Sequence, residues 1–245
     1  MSIPTLTAAE AFDLYKAAYD ADLLIQGSWH TQAKDGRFLA CALGTLGDNI
    51  DDPAKCPSSV MPRWLAQMVP WFFDQQKADD AKAWGVAFYA ELKRLDGKVP
   101  FSVVYDWQAN VVSPLAIEVA TKLGRDPAPH IAYQAIHAKA LGGEIASKAE
   151  WVATLRSVYA YAYADAYAYA DACAYPNVYA YAYADACAYA DADADTDANV
   201  YAYADAYANA YANAYANAYA DAYANAIKRL ADGMVACLAR VVVEE

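Results

Sequence analysis

The chain has no lysine or arginine between Arg156 and Lys228, the stretch where its sequence is most repetitive. Nine aspartates fall in that stretch, and over 245 residues 18 basic against 30 acidic side chains leave a formal charge of −12. A surface of that sign repels phosphate backbones, so direct nucleic-acid binding is not expected and a basic partner is. Long apolar runs are also missing: outside the repetitive tract no 18 consecutive apolar residues occur without a charge, and inside it Asp and Asn interrupt every run. The first residues, Met1-Ser-Ile-Pro-Thr-Leu-Thr7, hold no basic segment ahead of an apolar one. These features lead us to expect a cytoplasmic protein without an export signal or a membrane span. Cysteine is sparse, with five residues (Cys41, Cys56, Cys173, Cys187, Cys237) at unpatterned spacing and no Cys-x-x-Cys pair. An odd, unpatterned set favours reduced thiols over a disulfide framework. Nor is there a phosphate-cradling loop, since Leu43-Gly-Thr-Leu-Gly47 lacks the Lys-Ser/Thr that would engage phosphate and metal.

What is present divides the chain in two. Residues 1–144 read as an aromatic-rich helical domain holding five of the six tryptophans, and 145–245 as a low-complexity repeat array closed by a C-terminal helix. In the first part Thr7-Ala-Ala-Glu10 has the form of a capping box, predicting a helix from about 8 to 24 that stops near Gly27. Asp35-Gly36 marks a turn, and Phe38–Leu43 reads as a buried helix of two turns, with a strand open as the alternative. Pro62 suits the first turn of a helix through Trp64, Leu65 and Met68. Pro70 should break or kink it before Trp71-Phe72-Phe73. Residues 78–95 carry one apolar helical stripe ended by Gly97, Phe101–Trp107 is ambiguous, and two more helices are expected from Ser113 to Gly124 and from Pro127 to Leu141.

The second part is dominated by alternation. From 160 to 226, 30 of 34 even positions are Ala, and the odd positions from 159 to 225 hold 17 of the chain's 22 tyrosines, 9 Asp, 6 Asn and 2 Cys. A period of two suits a β-solenoid or stacked sheet over 158–226, which stays open as an alternative. Alanine, however, is the best helix former and is depleted in strands. In a helix, Tyr207, Tyr211, Tyr215, Tyr219 and Tyr223 form an i,i+4 stripe that drifts by about 40° per step. The flanks, Trp151, Leu155 and Val158 before and Ile227, Leu230, Met234 and Leu238 after, also have helical spacing. A motif starting Val158-Tyr-Ala-Tyr-Ala recurs at Val178 and, shortened, at Val200, with Pro176-Asn177 and Asn199 as breaks. Three helices, approximately 145–174, 178–195 and 200–240, complete an all-α expectation.

This tract and its exit, Ala226-Ile-Lys-Arg-Leu-Ala-Asp-Gly-Met-Val-Ala-Cys-Leu238, resemble bacterial and bacteriophage proteins that pair a small globular N-terminal part with Ala-rich helices studded with Tyr, Asp or Arg. Phe38-Leu-Ala-Cys-Ala-Leu-Gly44 and Met61-Pro-Arg-Trp-Leu-Ala66 are similar to their N-terminal segments. The resemblance implies helical structure and a phage or mobile-element origin, and it carries over no catalytic residue.

Candidate chemistry is thin. His30, Cys41 and Cys56 offer ligand types that suit zinc, although their spacing matches no compact finger. Cys41 served by His30 or His137 would make a thiol nucleophile with a base, and His130 and His137, seven apart, would share a helix face. Asp191, Asp193, Asp195 and Asp197 alternate as in calcium loops, but Thr196 and Ala202 stand where such a loop needs Gly and Glu. No cofactor is expected. The leading expectation is a non-enzymatic interaction or self-assembling protein, binding a protein partner or its own copies through the tyrosine stripe. A phage or mobile-element accessory or inhibitor acting on a basic partner is one form of it. The alternative is a Cys/His hydrolase or metal-binding enzyme in residues 1–150.

Overall fold

The computed structural model describes residues 6–122, 124–158 and 220–243. They are mostly helical, with one two-stranded sheet, as the all-α expectation required. The chain forms two compact units: residues 1–100 with 227–245, and residues 101–226. The expected boundary at 144/145 falls inside the second of these. Two of the three helices expected in the tract lie wholly or largely outside the described residues.

In the first unit, Thr7 Oγ1 accepts the Glu10 amide at 3.2 Å while the Glu10 carboxylate accepts the Thr7 amide at 2.8 Å, closing the capping box of α1 (Ala8–Asp20). The helix ends before the expected position 24 because its continuation is claimed by a sheet. The Ile25 amide donates to the Ala40 carbonyl, and the Ala40 amide donates to Leu23, each at 3.0 Å. Phe38–Leu43 corrects the helical expectation. Phe38–Ala40 is strand β2, paired antiparallel with β1 (His30–Gln32) in the register His30↔Ala40, Thr31↔Leu39, Gln32↔Phe38. The Asp35-Gly36 turn brings the two strands together, and Asp35 Oδ1 fixes it by accepting the Arg37 amide at 3.1 Å. A three-residue strand joined on both sides thus outcompetes a two-turn helix, which is too short to sustain itself.

Helix α2 (Arg63–Asp74) continues through Pro70, so the proline does not break it. Proline removes one ladder bond, but Trp71, Phe72 and Phe73 beyond it are buried, and their burial outweighs that loss. Helix α3 (Ala78–Arg94) crosses the unit and carries an aromatic chain. Phe72 meets Trp84 at 5.6 Å, Trp84 stacks on Phe88 at 4.8 Å, Phe88 stands edge-on to Tyr89 at 5.6 Å, and Tyr89 stacks on Tyr15 of α1 at 4.9 Å. The approach of α1 to α3 depends on Gly85, where an added Cβ would lie 2.0 Å from the Tyr15 hydroxyl.

In the second unit, α4 (Ser102–Trp107), a π-turn (Gln108–Val112) and α5 (Ser113–Lys122) follow without a break, so the ambiguous stretch Phe101–Trp107 is helical. The Ser113 amide reaches back five residues to the Gln108 carbonyl, and Gln134 Nε2 donates to the Ala109 carbonyl at 2.9 Å. Gln134 lies on α6 (Ala128–Leu141). Helix α7 occupies 148–158 of the described chain, opened by a second capping box in which Ser147 and Glu150 exchange amide contacts at 2.9 and 3.3 Å. The last helix, α8 (Ala220–Ala239), belongs to the first unit from residue 227 onward.

Candidate functional site

The residues considered for metal or nucleophile chemistry come partly together. His30 leaves β1 with its Nε2 donating to the Gly44 carbonyl at 2.9 Å, and Cys41 follows β2 with its Sγ accepting the Gly44 amide at 3.3 Å. Both side chains thus converge on one residue, Gly44, where glycine is required because a Cβ would lie 2.2 Å from the Trp29 carbonyl oxygen. Burial pushes the Cys41 thiol above its ordinary value, with the Gly44 and Leu43 amides offsetting only part of that rise. Cys56 is pushed up to about 12 by burial alone. At neutral pH both are therefore protonated thiols, whereas nucleophilic attack and zinc ligation use the thiolate. Among the described residues no group of three or more His, Cys, Asp or Glu side chains could hold a metal ion. Asp191, Asp193, Asp195 and Asp197 lie outside the described residues.

His137 belongs to the second unit and Cys41 to the first. As expected, His130 and His137 share a face of α6, and that face points inward: they are 1 % and 3 % exposed. The His137 ring is enclosed by aromatics, with Tyr133 at 4.5 Å and Trp151 at 4.8 Å, both edge-on, and Tyr105 at 5.9 Å. Neither of its ring nitrogens has a hydrogen-bond partner. Loss of water holds its pKa down to about 3, so the ring is neutral at physiological pH. The contacts also set the direction of α7: Trp151 meets His137, while Leu155 and Val158 pack on Tyr133, one turn earlier along α6. The two helices therefore run antiparallel.

The Tyr/Ala tract is fastened at both ends. On the N-terminal side Val158 is completely buried in the cluster with Tyr133 and Leu155. On the C-terminal side Ile227, Leu230, Ala231, Met234, Cys237 and Leu238 form a buried stripe at helical spacing. The Trp84 indole donates to the Ala231 carbonyl at 3.0 Å, and Arg94 donates to the carbonyls of Leu238 at 2.7 Å and Val241 at 3.0 Å, satisfying acceptors at the end of α8. Lys228 adds ion pairs with Asp80 at 3.5 Å and Asp232 at 2.9 Å. Of the proposed stripe, Tyr223 falls within the backbone span of α8, and Tyr207, Tyr211, Tyr215 and Tyr219 lie outside the described residues.

Sequence reasoning passed over Gln108 and Ser113. Gln108 is fully buried and Ser113 is 1 % exposed, and neither side chain has a hydrogen-bond partner. They bracket the π-turn, a feature that recurs where helices carry function. Polar residues inside the apolar run from Val103 to Val119 were the one available signal. Among the described residues no helix is long and apolar enough to cross a membrane. No family model, curated protein or solved structure matches this chain.

Proposed function

We propose that the chain works by contact rather than catalysis, with the Tyr/Ala/Asp tract as its binding surface toward a basic protein or a second copy of itself. The observation that carries this reading is the double anchorage: the residues flanking the tract, Val158 and Ile227, are both 0 % exposed. A segment held at both ends has less freedom left to lose on binding than a free tail. Tyrosine contributes large contact area at low side-chain entropy, and Tyr207, Tyr211, Tyr215, Tyr219 and Tyr223 supply it at regular intervals. Nine aspartates without a compensating cation give the surface its preference for basic partners. An accessory or inhibitor from a phage or mobile element, directed at a basic target, would use such a surface.

The test is replacement of Tyr207, Tyr211, Tyr215 and Tyr219 by Ala in the full chain. Titration with a lysine-rich polypeptide probe by calorimetry and sedimentation velocity over a concentration series would cover both kinds of partner. A loss of affinity of tenfold or more, about 1.4 kcal/mol, in either assay supports the reading. Absence of both probe binding and self-association in the parent chain, or parent-like behaviour of the variant, removes it.

A further inference from the structure

We propose that His137 is a proton-operated release for α7: acidification detaches residues 148–158, and with them the N-terminal anchor of the tract, while the first unit stays folded. This goes beyond the binding reading and does not depend on it, because its outcome is read on α7 itself.

Among the described residues, the groups facing the ring come from three elements. Helix α4 presents the Tyr105 phenol, α6 presents Tyr133, and α7 presents the Trp151 indole. None is an anion, since burial holds both phenols protonated. The carboxylates beside two of these rings are otherwise engaged: Asp106, next to Tyr105, accepts from Asn110 at 2.7 Å, and Glu150, next to Trp151, accepts from Ser147 at 2.7 and 2.9 Å. Lys139, two residues along α6, has the wrong sign to help. An imidazolium here would carry two buried N–H donors with no acceptor among the described residues, an arrangement a folded protein relieves by opening. Attraction of a cation to the surrounding rings, Tyr133 and Trp151 in T-shaped contact among them, compensates in part.

Helix α7 is the piece that gives way. Its contribution to the enclosure is Trp151, Leu155 and Val158, of which only Val158 is fully buried. By contrast α6 is tied to the π-turn by Gln134 and buries Tyr133, Ile136 and Ala140. Local opening proceeds through the element with the fewest buried contacts.

The sign follows from the depressed pKa. Above the ordinary histidine value of about 6.5 both states are neutral and the closed form keeps its full stability. Below it the open form binds a proton that the closed form refuses until about pH 3, so the opening constant rises tenfold per pH unit in between. At pH 5 it is about 30-fold larger than at pH 7.5.

Amide hydrogen exchange of the full chain at pH 7.5 and 5.0, corrected for intrinsic rates, tests this directly. We expect protection of 148–158 to fall about 30-fold while the amides of 227–238 change less than twofold. In His137→Phe, which keeps an aromatic ring and removes the titrating nitrogens, the fall should shrink to threefold or less. Unchanged protection at pH 5, an equal fall in the variant, or parallel loss at 227–238 would each overturn the proposal. Should the variant not fold, an NMR titration of the His137 ring in the parent chain decides: a value above 6 overturns it, and a neutral ring at pH 5 in closed molecules supports it.

Discussion

Helices α7 and α8 flank the same tract yet are held by different physics. Helix α8 is fixed by a six-residue apolar stripe together with directional bonds from Trp84, Arg94 and Lys228, groups that keep their donors at every pH near neutrality. Helix α7 rests on aromatic contacts around a histidine whose nitrogens make no bond. One anchor is thus strong and indifferent to pH, and the other is lighter and carries a titrating group at its centre. The difference shows that burial alone does not define an anchor, because what the buried polar atoms bond to decides how the contact responds to its surroundings.

The largest effect on this comparison should come from the α8 stripe. Met234→Ala leaves a cavity in the first unit and is expected to cost about 2–5 kcal/mol, seen in urea denaturation as early loss of protection at 227–238 with 148–158 unaffected. If both helices lose protection together, the two anchors are one cooperative unit and the contrast fails. Trp84→Phe keeps the stacking surface but removes the donor to Ala231, leaving a buried carbonyl underbonded. A loss of about 1–3 kcal/mol in the same assay is expected. The smallest change belongs to Lys228→Met. Its two ion pairs involve groups more than a third exposed, so stability should drop by at most about 0.5 kcal/mol, and the drop should vanish in high salt.

Much of the helical layout was legible because capping and periodicity are local. Thr7-Ala-Ala-Glu10 announced α1, and the same signature at Ser147-Lys-Ala-Glu150 opens α7. The stripe Ile227, Leu230, Met234, Leu238 announced a buried face on α8. Phe38–Leu43 was misread because a six-residue apolar run fits either period, and its strand exists only through pairing with residues 30–32. Pro70 does not break α2 for the complementary reason: the buried residues beyond it hold the helix together from outside.

The candidate site was less legible. His30 and Cys41 were considered together as candidate ligands or base and nucleophile, and both contact Gly44, but their chemistry turns on desolvation, which has no sequence signature. His137 was noted only as a possible base. Its aromatic enclosure draws on residues 105, 133 and 151, and no spacing rule joins positions so far apart.

The sequence by itself determined the composition of the tract, its charge, and the helical faces that flank it, because these follow from neighbouring side chains and backbone propensity. Tertiary structure decided that α8 returns to α3, that residues 30–40 pair as strands, and that His137 is sealed from water. Those outcomes depend on which faces meet, and a face encodes its apolarity but not its partner.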